Sequence, residues 1–307
     1  MSPTVQPYQP ILLSLFGEAI QENVPMARYT AARVGGNADA LLVVNSAVEL
    51  ANVVQQCWQN QIPFKIIGSG ANILVSDRGV RGLVIFNHAH NVKVDASAPA
   101  VWAESGANLG GLARQVALRG LSGLEWAISI PGTVGGAVYG NAGAHGGDMN
   151  SSLLLAEILH PVKGRMNLIS QDLVYAYRSS VLKRGELPGV VLSARLKLEN
   201  ATPEAVKEKM AQFTAHRKQT QPPGASLGSM FKNPPGDYAG RLIEASGLKG
   251  RRVGGVAVSQ MHANFFVNDE NATALDYYAL VNQVCQTVAK EQGINLELEI
   301  EFIGEWK

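Results

Sequence analysis

Glycine recurs seven times within residues 130–147, IPGTVGGAVYGNAGAHGG, and few folds accommodate such a run. Each glycine costs backbone entropy on folding, so the run would not persist in an ordinary core. Ile130, Val134 and Tyr139 are poor residues for a flexible linker. Two explanations remain: segments of backbone pack tightly against each other, or the backbone closely approaches a large flat or phosphorylated ligand.

A glycine-containing stretch earlier in the chain, FKIIGSGANILVSDRG, occupies residues 64–79 and is called the first glycine stretch, so that residues 130–147 are the second. Gly68 and Gly70 suggest a dinucleotide-binding fingerprint, but the third glycine of that pattern is replaced by Ile73 and a strand-like run follows. The acid that would hold a ribose is absent, because His90 stands near its place. Two glycines between strands present N–H groups that suit phosphate oxygens, although alone the pattern is also that of an ordinary β-turn. Together the two stretches favour a pyrophosphate-bearing cofactor.

Hydrophobic periodicity predicts a mixture of helices and strands. Ser46, with Glu49 three residues later, is a capping-box pattern that begins a helix. Asn108 begins a second helix, and Thr202 followed by proline begins a third. Apolar runs that predict strands lie at 41–44, 64–67, 83–86, 92–94, 101–105 and 190–198.

The C-terminal third carries two further patterns. A last helix, ended by Gly293, has apolar residues at three- and four-residue steps and is predicted to bury Leu275, Tyr278, Val281, Cys285 and Val288. The final run, LELEIEFIG at residues 296–304, alternates strictly and predicts a strand. One face of that strand carries apolar side chains, and the other carries Glu297, Glu299 and Glu301.

Charge and cysteine content exclude several classes of function. The net charge of +1 argues against a general nucleic-acid-binding surface. Cys57 and Cys285 have no metal-ligand spacing and form no disulfide framework, which suits a reducing compartment. No stretch is long enough to span a bilayer, and the short N-terminal ILLSLF predicts a small helix rather than a signal peptide. We expect a cytoplasmic monomer that binds no nucleic acid, no membrane and no metal.

Six motifs occur in order along the chain: GSGANILVSD (68–77), GLEWAISIPGTVGGAVYGNAGAHGG (123–147), YRSS (177–180), GSMFKNP (228–234), GRLIEASGLKG (240–250) and LELEIEFIGE (296–305). This ordered set resembles the UDP-N-acetylenolpyruvoylglucosamine reductase family. The resemblance covers roughly residues 28–305 and is to the shorter form of the enzyme, which lacks an extra insertion in the substrate domain.

The resemblance implies an α+β fold in which an FAD-binding fold of the vanillyl-alcohol-oxidase/PCMH type precedes an α+β substrate-binding domain. An N-terminal segment would occupy residues 1–27. The two FAD-binding subdomains would span residues 28–94 and 95–200, and the substrate-binding domain residues 201–307. Both glycine stretches would lie against the FAD.

The activity that the resemblance implies is NADPH-dependent reduction of UDP-N-acetylglucosamine enolpyruvate to UDP-N-acetylmuramate. This reaction belongs to peptidoglycan precursor synthesis, and hence to cell-wall biogenesis, cell shape, cell cycle and cell division. FAD would be non-covalent, because residues 68–77 contain no His or Cys to attach it. Two alternatives stay open: an FAD-dependent alcohol or sugar oxidase of the same fold, and a flavin- or nucleotide-sugar-binding protein without turnover.

Three residues match the catalytic positions of the family. Ser229 would donate a proton, Arg178 would stabilise an enolate, and Glu299 would act in its protonated form. From composition alone, these residues would be a turn serine, a surface arginine and one of three solvated acids. A non-catalytic binding protein would be expected to lack at least one of them, and all are present.

The resemblance also implies residues that contact the ligands. For the cofactor they are Gly68, Ser69, Gly70, Ala71, Asn72, Pro131, Gly132, Thr133, Gly135, Gly136 and Ala137. For the substrate they are Arg217, Asn233 and His262. Arg217 follows the apolar helical stripe Val206, Met210, Phe213, so its guanidinium is predicted to face a pocket and bind the UDP diphosphate. His262 is equally compatible with a structural role.

Overall fold

The structure is a computed structural model that describes residues 8–95 and 97–306. Residues 1–7 of the predicted N-terminal segment, Ala96 and Lys307 lie outside the described residues. The α-helices are α1 (Gln9–Phe16), α2 (Ala47–Gln59), α3 (Leu109–Ala117), α4 (Val134–Gly140), α5 (Met149–Ser152), α6 (Pro203–Thr220), α7 (Ala239–Ala245) and α8 (Ala274–Gln292).

The predicted helix starts are confirmed, and each has a side-chain cap. Ser46 Oγ accepts from Glu49 N at the start of α2, and Asn108 caps α3 in the same way through Gly111 N. Thr202 caps α6, with proline at the first helical position. These caps satisfy N–H groups that have no partner inside the helix, which is why short local patterns locate the starts.

The strands in chain order are β1 (Gln21–Pro25), β2 (Asn37–Val44), β3 (Phe64–Ile67), β4 (Ile73–Val75), β5 (Val80–Asn87), β6 (Val92–Asp95), β7 (Ala100–Glu104), β8 (Leu121–Ser122), β9 (Gly143–Ala144), β10 (Gly147–Asp148), β11 (Leu153–His160), β12 (Gly164–Leu168), β13 (Val190–Lys197), β14 (Glu199–Asn200), β15 (Ala225–Ser229), β16 (Arg252–Val253), β17 (Val256–Val258), β18 (Phe265–Asn268) and β19 (Glu301–Ile303). Each of the six predicted runs coincides with a strand, and the runs 101–105 and 190–198 extend one residue beyond β7 and β13.

Three larger sheets organise the molecule. The first has the order β1-β2-β5-β3, and its parallel β2, β5 and β3 are packed against α2 through a buried apolar cluster. The second is antiparallel, with the order β12-β11-β13-β7-β6, and shares its core with α3 and α4. The third has the order β15-β18-β17-β16 and packs against α7 and α8.

The C-terminal helix and strand differ from the predictions. In α8, Leu275 and Tyr278 are exposed, and the buried face runs instead through Tyr277, Leu280 and Val284 together with Val281 and Val288. Steps of three and four residues fit either face, and packing against the third sheet selects the one that carries Tyr277. The final strand is restricted to β19, residues 301–303.

The short final strand connects distant parts of the chain. β19 pairs in parallel with β4, which directly follows the loop 68–72 of the first glycine stretch, with Glu301 opposite Ile73. Residues 296–300 lie outside β19, and Leu298 there makes an isolated β-bridge with Phe231. β6, residues 92–95, pairs with the second sheet. The limits 28–94, 95–200 and 201–307 of the three domains stay a prediction.

Candidate active site

The first glycine stretch forms a loop with unpaired backbone donors. Gly70 has a φ of +63°, and a Cβ there would lie 1.9 Å from the carbonyl oxygen of Tyr29, so only glycine fits. Within the described part of the chain, the backbone N–H groups of residues 69–72 have no hydrogen-bond partner. Successive N–H groups of this kind form an anion-binding concavity.

The two glycine stretches meet at this loop. A Cβ on Gly68 would lie 2.7 Å from Cγ2 of Thr133, so absence of a side chain allows the contact. Thr133 caps α4, where its Oγ1 accepts from Gly136 N at 3.4 Å. A cavity of about 370 Å³ lies beside them and is lined by Gly68, Ser69, Thr133, Asn108, Phe86 and His88, among others.

In the rest of the second glycine stretch, some residues pack against the core and others border open space. Gly135 N donates to Ser105 O at 2.7 Å, and Ala137 is buried in the core. Pro131 is exposed, and a Cβ on Gly132 would meet no atom within 4 Å. Both explanations offered for the glycine run therefore hold in part: some glycines allow close packing, and others leave space open to a ligand.

These features fit a diphosphate-bearing cofactor such as FAD. Unpaired N–H groups of residues 69–72 are available for phosphate oxygens, and the cavity beside Gly68 and Thr133 provides space. Ala71 belongs to the same loop. The contacts of the individual cofactor residues stay predictions.

Arg178 lies at the tip of a tight turn with a left-handed backbone, at φ +54°. Ala176 and Ser179 close the turn through paired backbone hydrogen bonds of 3.1 Å. Ser180 Oγ donates to Tyr139 O at 2.6 Å, which ties the turn to the second glycine stretch. This anchoring holds the Arg178 guanidinium where Glu299 approaches it.

Arg178 and Glu299 form an ion pair, with Nε 2.7 Å from Oε1. The Nε–H bond does not point at this oxygen, so the N–H is buried without an aligned acceptor among the described residues. The Glu299 side chain is only 14% exposed. Burial raises the pKa of its carboxyl above the ordinary value, although Arg178, Lys183 and Lys232 each lower it.

The three acids predicted to share a solvated face have different surroundings. Glu297 is exposed and pairs with Lys232 at 3.2 Å. Glu301 pairs with Lys183, also at 3.2 Å. Glu299 is the acid that is withdrawn from solvent.

Ser229 is the last residue of β15 and is opposite Phe265 of β18. The next residue, Met230, accepts a 2.9 Å hydrogen bond from Glu299 N through its carbonyl oxygen. The serine and the glutamate therefore lie on adjacent segments of backbone. This contact joins parts of the chain that are far apart in sequence.

Asn72 connects the Glu299 segment to the first glycine stretch. Its Nδ2 donates to Glu299 O at 3.1 Å, and its carbonyl oxygen accepts from Glu301 N at 2.9 Å. The structure thus gathers the glycine loop, Arg178, Glu299 and the segment of Ser229 in one region.

The predicted substrate residues have mixed surroundings. Arg217 is partly buried on α6, where burial lowers the pKa of its guanidinium. It lies near His145 of the second glycine stretch. The His145 ring stacks on that of Phe213, with 4.2 Å between the ring centroids. Asn233 Oδ1 accepts from Ala239 N at the start of α7, at 3.1 Å. The role of these side chains toward a substrate stays a prediction.

His262 makes contacts typical of a structural histidine. Its Nδ1 accepts from Asn264 N at 3.2 Å, so the ring is neutral at that nitrogen, and burial lowers its pKa. Its ring packs edge-on against Phe265. Sequence reasoning missed Asn264 itself, whose signal was a polar residue within the largely apolar run ANFFV at residues 263–267. It also missed Phe86 and His88 in the cavity wall.

Comparisons with known proteins give the family. Residues 218–303 match the UDP-N-acetylenolpyruvoylglucosamine reductase C-terminal domain, and residues 38–166 match an FAD binding domain. UDP-N-acetylenolpyruvoylglucosamine reductase of Rubrobacter xylanophilus is 44% identical over 283 residues, covering 92% of this chain and 94% of the relative. The relative of that name from Streptococcus suis is 42% identical over 296 residues, covering 96% and 97%.

The chain belongs to the UDP-N-acetylenolpyruvoylglucosamine reductase family. A crystal structure of the reductase from Thermus caldophilus is similar, with a TM-score of 0.79 and 37% identity over 92% of this chain and 98% of that one. The predicted fold class is confirmed: an α+β FAD-binding fold followed by the reductase C-terminal domain. FAD as the cofactor is confirmed by the domain match.

Two features are absent from residues 8–95 and 97–306. No helix there has both the length and the apolar character to cross a bilayer. No cluster of three or more His, Cys, Asp or Glu side chains there could hold a metal ion.

Proposed function

We propose that this chain uses NADPH and non-covalent FAD to reduce the enolpyruvyl group of UDP-N-acetylglucosamine enolpyruvate, forming UDP-N-acetylmuramate for peptidoglycan synthesis. The observation that carries the proposal is the meeting of Arg178, Glu299 and the Ser229 segment beside the first glycine loop. Family membership supports it, because the relatives bear the name of a reductase of an enolpyruvyl nucleotide sugar.

The residues proposed to hold FAD are the loop 68–72 and the turn around Thr133, through backbone N–H groups and the adjoining cavity. When bound, FAD supplies hydride transfer from NADPH to the terminal carbon of the enolpyruvyl double bond. The protein has to stabilise the charge that develops on the neighbouring carbon, and to deliver a proton there.

Arg178 is proposed to stabilise that charge. Addition of hydride to the terminal carbon places negative charge on the next carbon, and the attached carboxylate shares it as an enolate. A planar guanidinium suits a carboxylate or enolate, and the buried Nε–H of Arg178 lacks an aligned acceptor in the described chain. The substrate carboxylate is proposed to provide this acceptor.

Ser229 is proposed to donate the proton from its Oγ to the carbon that carries the carboxylate. An enolate is far more basic than water, so even a weakly acidic hydroxyl can protonate it. The product gains one hydride and one proton, and the serine is reprotonated from solvent. Glu299 is proposed to be neutral during this step, since an ionised carboxylate would repel the enolate; its burial favours the neutral form.

Arg217 is proposed to bind the UDP diphosphate, and Asn233 and His262 to line the same pocket. The partly buried cationic guanidinium of Arg217 beside the second glycine stretch supports the first assignment. We further propose a monomer located in the cytoplasm, where NADPH and nucleotide sugars are found. Light scattering coupled to size-exclusion chromatography tests the monomer.

Anaerobic spectroscopy tests the reaction. The purified holoenzyme is expected to be yellow, to bleach when NADPH is added under nitrogen, and to recolour when UDP-N-acetylglucosamine enolpyruvate is added. Rapid recolouring by oxygen but not by the nucleotide sugar would identify an oxidase of the same fold. A yellow protein that never bleaches would identify a binding protein without turnover. Either result would overturn the proposal.

A further inference from the structure

Asn264 is a buried asparagine, 2% exposed, immediately before β18. Its side-chain amide makes two hydrogen bonds to a single residue: Phe231 N donates to Oδ1 at 2.9 Å, and Nδ2 donates to Phe231 O at 2.8 Å. Its backbone carbonyl oxygen accepts from Met230 N at 2.8 Å. One residue therefore holds three backbone groups directly after Ser229.

The chain leaves its sheet at this point. The register of β15 against β18 is irregular between Ser226 and Ser229, and β15 ends at Ser229. Beyond it, the Asn264 amide presents a donor and an acceptor in place of a neighbouring strand, so that the extended backbone continues with its polar groups paired.

The same segment holds Glu299 on its other side. Met230 O accepts from Glu299 N at 2.9 Å, and Phe231 is bridged to Leu298. The position of Met230 and Phe231 thus determines where both Ser229 and Glu299 lie. Asn264 contacts the same segment through both backbone groups of Phe231 and through Met230 N.

We propose that Asn264 is a positioning residue that fixes Ser229 and Glu299 relative to each other during reduction of the substrate. The inference rests on the proposed function. His262 supports the arrangement, because its Nδ1 accepts the Asn264 N–H at 3.2 Å. This contact gives the histidine a role in holding the asparagine.

The physical reason is that Phe231 is fully buried, so its N–H and C=O need partners inside the protein. Without the Asn264 amide, residues 230–231 must move to find other partners or water. A displacement of the order of 1 Å at a catalytic group can slow a reaction about 100-fold.

The test compares Asn264→Ala with Asn268→Ala in FAD-loaded enzyme. Asn268, the last residue of β18, is a matched control: its Nδ2 donates to Ala32 O and its Oδ1 accepts from Ala272 N, both at 2.9 Å, away from Ser229. Thermal unfolding measures the loss of stability in each variant. Anaerobic stopped-flow absorbance measures flavin reduction by NADPH and reoxidation by the enolpyruvyl nucleotide sugar separately.

Asn264→Ala is expected to slow reoxidation about 100-fold, while flavin reduction stays within about threefold of wild type. Asn268→Ala is expected to lower the melting temperature without slowing reoxidation. Equal slowing in both variants, or reoxidation of Asn264→Ala at the wild-type rate, would overturn the proposal. Wild-type enzyme that is not reoxidised by the nucleotide sugar would refute the proposed function instead.

A double-mutant cycle separates positioning from general destabilisation. In a Ser229→Ala background, Asn264→Ala is expected to add much less than its effect alone, because the proton donor that it positions is gone. If Asn264→Ala slows reoxidation by the same factor in the Ser229→Ala background as in wild type, the proposal is contradicted. If Asn264→Ala does not fold, Asn264→Asp takes its place: it keeps the acceptor for Phe231 N but removes the donor to Phe231 O, and is judged by the same rates.

Discussion

Replacement of Glu299 by glutamine isolates the consequence of burying this carboxyl. Glutamine has nearly the same shape and stays neutral at every pH, so it imitates the protonated acid. Burial raises the pKa of Glu299 above its ordinary value of 4.5 despite the guanidinium of Arg178 at 2.7 Å. The folded protein therefore retains a proton on Glu299 at pH values where the unfolded chain has lost it.

The sign of the effect follows from this difference. Below about pH 4.5, Glu299 is protonated in both the folded and the unfolded state, so its titration does not lower the free energy of unfolding of wild type. As pH rises from there through the pKa of the folded state, wild type loses stability and Glu299→Gln does not. One proton limits the slope to about 1.4 kcal/mol per pH unit, and each kcal/mol shifts Tm by about 1.5 °C in a chain of 307 residues.

The assay is thermal unfolding of both proteins across this pH range with saturating FAD. Glu297→Gln is the matched control, since Glu297 is exposed and its ion pair with Lys232 contributes little to stability. We expect the Tm of Glu299→Gln to increase relative to that of wild type as pH rises. The Tm difference between Glu297→Gln and wild type is expected not to change with pH. A Tm difference that does not change with pH, or that changes in the opposite sense, would refute the argument from burial.

Three further substitutions test other contacts. Gly70→Ala places a methyl group 1.9 Å from Tyr29 O at a left-handed position, so we expect a loss of more than about 1 kcal/mol and less bound FAD, measured by urea unfolding and the flavin-to-protein absorbance ratio. Normal FAD content would contradict this. Arg178→Lys keeps the charge but loses the planar fork, and kcat for NADPH oxidation is expected to fall about 100-fold; an unchanged kcat would remove the assigned role. Asn72→Ala loses the hydrogen bond to Glu299 O and is expected to lower the free energy of unfolding, measured in urea, by about 1 kcal/mol. An unchanged free energy of unfolding would contradict this prediction.

Elements defined by short-range interactions could be predicted from the sequence. The helix starts at Ser46, Asn108 and Thr202 depend on a side chain that bonds to an N–H three residues later, and all three were located correctly. The buried face of α8 could not be predicted, because steps through Leu275 or through Tyr277 fit a helix equally well. The choice depends on the sheet against which the helix packs.

Motifs in the sequence identified individual residues of the site but not the contacts between them. The pairing of Arg178 with Glu299 and the bond from Asn72 to Glu299 O join segments that no local pattern relates. Burial of Glu299 between two solvent-accessible acids was likewise invisible in the alternation of the final strand. Asn264 was missed because its two partners belong to Phe231, 33 residues away.

The central claim is that the hydroxyl of Ser229 delivers the proton to the substrate. Anaerobic stopped-flow absorbance of Ser229→Ala measures this most directly, because it resolves the two half-reactions. The account predicts that NADPH bleaches the flavin at the wild-type rate, and that the enolpyruvyl nucleotide sugar restores its colour about 10²–10⁴-fold more slowly. Restoration at the wild-type rate would contradict the account.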